Sequence, residues 1–227
     1  MKMDIKEVYN QIIKEEDILT IYQQIEDKEI RDEDWAFHNL DHVNNVTNIA
    51  EKILRDLKFG EHDIYKVKIA CFLHDVGELA GKAGHAQRSY IYAQDYFKKQ
   101  NWEFEGKAEV LDAIKNHSEG FDSTSIITLS VILADKLDVK KSRIPESGRK
   151  IIGNRQFAHI EDILLNIENN VLNVNFITDG DIDHKEVSDY YFTHKIFKSI
   201  QTFAEKLNLN HAIFIDYKTW TLDKINV

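Results

Sequence analysis

The sequence predicts a mainly α-helical protein with a small α+β segment at its C-terminal end. One proline, Pro145, and nine glycines occur in 227 residues, and this scarcity of helix breakers favours long helices. Apolar residues recur at helical spacing through the first two thirds, then alternate in a strand-like manner beyond about residue 160. We therefore expect a helical domain over residues 1–150 and an α+β extension over residues 151–227.

The helical part divides at glycines and polar caps. Gly60 and Gly77 bracket one helix, and Ser123 is a predicted N-cap of another. The predicted helices cover about 4–33, 35–58, 61–76, 84–100, 105–117 and 124–139.

The extension begins with a predicted β-hairpin. Leu172, Val174 and Phe176 alternate after a turn centred on Asn169-Asn170. A helix over about 184–207 and a strand over 211–217 follow. This segment could cover a site, mediate a homodimer or extend the core, and the residues leave these three alternatives open.

Composition limits the classes of function. Hydrophobic residues make up 43% and charged residues 30%, which suits a globular protein with a sizeable core. The net charge of -10 argues against a dedicated binder of nucleic-acid polymers. A small anionic substrate stays compatible with this charge, because a bound cation makes a local positive field.

The single cysteine, Cys71, excludes a disulfide framework and fits a reducing cytoplasm. The N-terminus has no apolar core of a signal peptide. No run of 18 uncharged apolar residues occurs, so we expect a cytoplasmic protein without a membrane span.

Histidines and aspartates next to apolar stretches are the most informative feature. Buried imidazoles and carboxylates are costly unless something compensates them, and a shared metal centre would compensate several at once. Imidazole and carboxylate ligands suit iron, manganese, zinc, cobalt or nickel. The residues concerned are His42, His74, Asp75, His85, His117 and Asp135.

The order of four of these residues resembles the HD superfamily of metal-dependent phosphohydrolases. The resemblance covers about residues 35–140 and depends on LHDVG at a helix end and ILADKLD before the last aspartate. With the two further histidines, the layout is closest to that of bacterial HD hydrolases that split diadenosine tetraphosphate symmetrically. The chain adds an N-terminal helix and the C-terminal extension to that layout.

The resemblance implies two divalent metal ions and a hydroxide, activated by them, that attacks phosphorus. Asp75 would bridge the ions and so serve as both ligand and catalytic residue. It implies one metal held by His42, His74, Asp75 and Asp135, and a second held by Asp75, His85 and His117. The alternative is a one-metal site in which His85 and His117 contact phosphate.

Further residues are candidates for catalysis or phosphate binding. FHNLDH resembles a segment of cyclic-nucleotide phosphodiesterases in which the first histidine donates a proton. His38 is therefore a candidate acid, and the alternative is a capping or surface histidine. Lys136, next to Asp135, is a candidate catalytic residue. Arg88 and Arg143 are candidate phosphate ligands, because a guanidinium binds phosphate bidentately.

The resemblance predicts an enzyme that cleaves a phosphate ester or anhydride of a small nucleotide-type substrate, with diadenosine tetraphosphate as one candidate. Two alternatives stay open. One is a nucleotide monophosphatase or a cyclic-nucleotide phosphodiesterase. The other is a non-catalytic HD module that binds a nucleotide.

Overall fold

The structure, a computed structural model, describes residues 2–222 and divides into two compact units. The first comprises Met1–Lys28 and His38–Asp135, and the second comprises Glu29–Phe37 and Lys136–Val227. The predicted fold class is confirmed, with helices through most of the chain and a small four-stranded sheet in the C-terminal region. The predicted domain boundary at residue 150 stays a prediction.

Helices follow one another through the first 137 residues. A 3-10 helix, Val76–Ala80, separates the fourth α-helix from the fifth. The α-helices are α1 (Ile5–Ile12), α2 (Glu16–Arg31), α3 (Leu40–Asp56), α4 (Glu61–Leu73), α5 (His85–Lys99), α6 (Lys107–Asn116) and α7 (Ile126–Leu137).

The prediction of one helix over residues 4–33 is wrong, because a turn separates α1 from α2. Lys14 N and Glu15 N donate to carbonyls three residues earlier, which tightens and ends α1. Ile12 and Ile18 are both fully buried, yet six residues span about one and two-thirds turns of helix. One continuous helix would point these side chains in different directions, so the turn brings them both into the core.

Two predicted helix bounds also shift around the later site residues. The helix predicted from residue 35 begins at Leu40, because the Asn39 side chain caps it by accepting from His42 N at 3.1 Å. The helix predicted to reach residue 76 ends at Leu73 and gives way to the 3-10 helix. Both shifts leave histidines and aspartates at helix ends.

Helix α4 lies at the centre of the first unit. It packs against α1, α3 and α6, and its side chains from Ile64 to Leu73 are mostly buried on every face. A helix that is apolar all round belongs in a core. Its C-terminal end therefore delivers the residues that follow it to the interior. Among residues 2–222, no helix is both long and apolar enough to span a lipid bilayer.

The second unit contains a sheet in the order β1-β2-β3-β4, in which β2 and β3 are parallel and the other neighbours are antiparallel. Helix α10 packs against β2 and β3. The elements are α8 (Asn154–Phe157), β1 (Ile160–Glu168), β2 (Val171–Thr178), α9 (His184–Asp189), α10 (Tyr191–Lys206), β3 (Asn210–Ile215) and β4 (Lys218–Thr219); short 3-10 helices cover Lys141–Arg143 and Gly148–Lys150.

The predicted hairpin is confirmed, and its turn has a clear cause. Asn169 and Asn170 both have positive φ, as the tightest two-residue hairpin turns require. The single helix predicted over 184–207 is wrong, because Tyr190 is extended and separates α9 from α10. The last predicted strand ends at Ile215, and a turn at Asp216-Tyr217 leads into β4.

Candidate metal centre

Ends of five helices converge in the first unit and bring the six predicted metal ligands together. His42 lies in the first turn of α3, and His85 is the first residue of α5. His74 and His117 directly follow α4 and α6, while Asp135 lies in the last turn of α7. The ligand atoms form two groups, each within 4.8 Å: His42, His74, Asp75 and Asp135; and Asp75, His85 and His117.

The Asp75 carboxylate belongs to both groups, through different oxygens. Its Oδ2 lies 3.4 Å from His42 Nε2 and 3.1 Å from His74 Nε2. Its Oδ1 lies 3.4 Å from both His85 Nε2 and His117 Nε2. Each oxygen of the carboxylate therefore faces one of the two groups.

Asp135 completes the first group from the other side. Its Oδ1 lies 3.4 Å from His42 Nε2 and 3.9 Å from His74 Nε2. The side chains of His42, His74, Asp75 and His117 are at most 2% exposed, whereas Asp135 and His85 are 10% and 14% exposed. Solvent therefore reaches the centre beside Asp135 and His85.

Three of the imidazoles are held in the same way. The Nδ1 atoms of His74, His85 and His117 lie 2.6, 2.8 and 2.7 Å from backbone carbonyls three residues earlier. A carbonyl only accepts, so each Nδ1 carries the proton, and a neutral ring then presents a lone pair at Nε2. These Nε2 atoms are the ones that face Asp75.

The distance between the His85 and His117 rings indicates whether a cation fits beside them. Their Nε2 atoms lie 2.8 Å apart, although both rings donate to carbonyls through Nδ1. Two neutral rings would thus direct lone pairs at each other, which is unfavourable unless a proton or a metal ion lies between them. The donor set, imidazole nitrogens and carboxylate oxygens, fits a divalent transition metal.

Residues 39–140 match the HD domain family. The structure is similar to the crystal structure of a predicted HD superfamily hydrolase from an uncultured Thermotogales bacterium. The matched region covers 65% of this chain and 88% of the hydrolase chain. Its identity is 24% and its TM-score 0.44. No curated protein matches the chain. We call residues 39–140 the HD segment.

Charges in the metal-free HD segment are strongly coupled. Burial acts to lower the pKa of His74, but the carboxylates of Asp75 and Asp135 outweigh burial and raise it to about 10. Burial acts to raise the pKa of Asp75, but the charge on His74 and the surrounding imidazoles hold it well below its usual range. Burial lowers the pKa of His117. At neutral pH a proton on His74 therefore balances the carboxylates.

Metal binding is expected to release that proton. Because the pKa of His74 is about 10 in the metal-free protein, its ring is protonated at pH 7 and must lose the proton at Nε2 to become a ligand. Apparent affinity for Co²⁺ should thus rise with pH across the neutral range. Calorimetric titration at pH 7 in two buffers of different ionisation enthalpy should show about one proton released. Binding heats that do not depend on the buffer would contradict this.

Arg88, predicted to bind phosphate, holds the loop between α4 and α5. Its Nε donates to Gly77 O at 3.0 Å, and its Nη1 and Nη2 donate to Ala83 O and Gly81 O. Gly77 itself has no room for a side chain, since an added Cβ would lie 2.4 Å from His85 O. The guanidinium thereby fixes the loop that leads into His85. The phosphate role of Arg88 stays a prediction.

Lys136 and Arg143 belong to the second unit. The Arg143 side chain is 7% exposed and donates to Asp138 O at 2.8 Å and to Phe37 O at 3.3 Å. These bonds hold Phe37, Asp138 and Arg143 together within that unit. The catalytic role of Lys136 and the phosphate role of Arg143 stay predictions.

Two further residues, His38 and Glu78, lie beside the ligand residues. The His38 ring lies 5.7 Å from the His42 ring, centroid to centroid, and is 9% exposed. Its role as a proton donor stays a prediction. Glu78 is absent from the predicted set, yet its carboxylate Oε1 lies 3.3 Å from His85 Nδ1. Burial raises the pKa of Glu78. Its only signal in the sequence is an acidic residue three positions after Asp75.

Proposed function

We propose that this protein is a metal-dependent phosphohydrolase that uses two divalent transition-metal ions. The observation that carries the proposal is the Asp75 carboxylate, whose two oxygens face two separate groups of imidazole and carboxylate ligands. The match of residues 39–140 to the HD domain supports it, because the ligand residues fall in the order that the family resemblance implies.

The chemistry divides between the metals and the side chains. Divalent ions in such a pair polarise a phosphoryl oxygen and make water nucleophilic at neutral pH. The protein's own contribution is to hold three imidazoles, those of His74, His85 and His117, in place through the bonds from Nδ1 to backbone carbonyls. His38, which lies just before the N-cap of α3 with its ring 5.7 Å from the His42 ring, would donate a proton to the leaving oxygen.

We further propose that the substrate is small and carries a nucleotide-type phosphate ester or anhydride. Exposure limited to Asp135 and His85 supports a substrate that approaches with a narrow phosphate group. The net charge of -10 makes a nucleic-acid polymer an unfavourable partner. Diadenosine tetraphosphate is the first substrate to test.

Phosphate release should be measured with metal-loaded protein and three groups of compounds: dinucleoside polyphosphates, nucleoside monophosphates and cyclic nucleotides. We expect turnover of at least one group and its loss in His74→Ala, which removes a fully buried ligand. Elemental analysis should find two equivalents of metal in the wild type. Unchanged turnover in His74→Ala would refute the proposal, and nucleotide binding without metal would favour a non-catalytic module.

A further inference from the structure

Helix α2 lies outside the HD segment, yet it contacts two of the chain segments that carry metal ligands. Tyr22 and Glu26 lie four residues apart on α2 and so share a face of the helix. Tyr22 contacts the end of α4, which precedes His74 and Asp75. Glu26 contacts the start of α3, which carries His42.

The Tyr22 hydroxyl provides a hydrogen-bond donor for a buried backbone carbonyl at the end of α4. The last carbonyls of a helix have no partner within that helix. At the end of α4, Cys71 O accepts from His74 Nδ1 at 2.6 Å, and Phe72 O accepts from the Tyr22 hydroxyl at 2.6 Å. Tyr22 is fully buried, and its ring packs edge-on against Phe72 at a centroid distance of 6.0 Å.

The hydroxyl also lies within electrostatic reach of the bridging carboxylate. Burial raises the pKa of Tyr22 well above its usual value, and the negative charge of Asp75 raises it further. The hydroxyl therefore stays protonated and available as a donor. A side chain from α2 thus fixes the peptide that precedes the ligand pair.

The contact of Glu26 acts through the cap of α3. Glu26 Oε1 accepts from Asn39 Nδ2 at 3.1 Å, while Asn39 Oδ1 accepts from His42 N at 3.1 Å. The carboxylate of Glu26 therefore sets which end of the Asn39 amide faces the helix. The Oδ1 end of the same amide then accepts from His42 N and holds the His42 backbone in the first turn of α3.

We propose that Tyr22 and Glu26 are positioning residues of the metal centre, so that α2 is a functional part of it. The inference rests on the proposed function, because it requires that the six ligands hold metal. Outer contacts of this kind commonly change metal affinity by 10–100-fold when they are removed.

The test is titration of metal-free protein with Co²⁺ alone, followed by the visible absorption of the bound ion. Tyr22→Phe removes the hydroxyl and keeps the ring, and we expect affinity about 10-fold weaker together with an altered spectrum. Tyr96→Phe is the matched control. Tyr96 is also buried and donates to Glu15 Oε2 at 2.9 Å, but it lies about 16 Å along α5 from His85. Its Co²⁺ affinity and spectrum should equal those of the wild type.

A second pair of variants applies if Tyr22→Phe does not fold, as judged by circular dichroism. Glu26→Leu removes the acceptor for Asn39 and should weaken Co²⁺ binding, whereas Glu26→Gln keeps a carbonyl oxygen and should restore it. Wild-type affinity and spectra in both Tyr22→Phe and Glu26→Leu would overturn the positioning role and leave the proposed function intact. A wild-type protein that takes up no Co²⁺ would instead overturn both.

Discussion

Replacing Asp75 with asparagine is expected to remove both metal ions and to lower the rate of phosphate release about 1,000-fold. Without the ions the transition state loses several kcal/mol of stabilisation, which corresponds to a rate loss of this size. The side chain keeps its size, so the fold should persist. One oxygen and the negative charge are lost, however, and each oxygen faces a different ligand group. Elemental analysis after dialysis and a phosphate-release assay would measure the two effects.

Asp112→Asn is the matched control for Asp75→Asn. Asp112 lies on α6, where its oxygens accept from Asn116 Nδ2 at 2.9 Å and from Thr128 Oγ1 at 3.3 Å. Asparagine at residue 112 keeps one of these acceptors and should retain metal and activity. Two tightly held ions in Asp75→Asn would show that this carboxylate does not bridge.

Replacing His117 with alanine is expected to leave one metal ion and to lower phosphate release about 100-fold, equivalent to about 3 kcal/mol of barrier. The variant removes one of three ligands from the second group and leaves His42, His74, Asp75 and Asp135 in place. Metal stoichiometry separates this outcome from Asp75→Asn, in which both ions should be lost.

His62→Ala is the control for the loss of an imidazole. His62 lies in the first turn of α4, about 18 Å along the helix from His74, and should be replaceable without change in metal content. If His117→Ala keeps two equivalents of metal, His117 is not a ligand. If it retains none, the two groups do not bind independently.

Helix positions follow closely from the sequence where the apolar period is unbroken. The spacing of apolar residues predicts α5, α6 and α7 to within a few residues, and the Asn169-Asn170 turn predicts the hairpin. The turn between α1 and α2 is not predictable in this way, because neither proline nor glycine marks it. Its position depends on bringing Ile12 and Ile18 into one core, which is a tertiary requirement.

The candidate ligands follow from the sequence, but the side chains that support them do not. Histidines and aspartates beside apolar runs are visible as a pattern, and the resemblance orders them. Tyr22 is separated by 50 residues in the sequence from Phe72, whose carbonyl it contacts, and nothing in the sequence around Tyr22 indicates that partner. Arg88 is visible as a cation near His85, yet its guanidinium contacts three backbone carbonyls, a detail that only three-dimensional geometry supplies.

The convergence of five helix ends makes the proposed ions cross-links of the tertiary structure as well as cofactors. His42 and Asp135 stand almost a hundred positions apart in the chain, yet Asp135 Oδ1 lies 3.4 Å from His42 Nε2. Ions that bind only the folded form add their binding free energy to its stability. Starving a cell of metal would then reduce the amount of intact protein, through faster proteolysis, as well as its turnover.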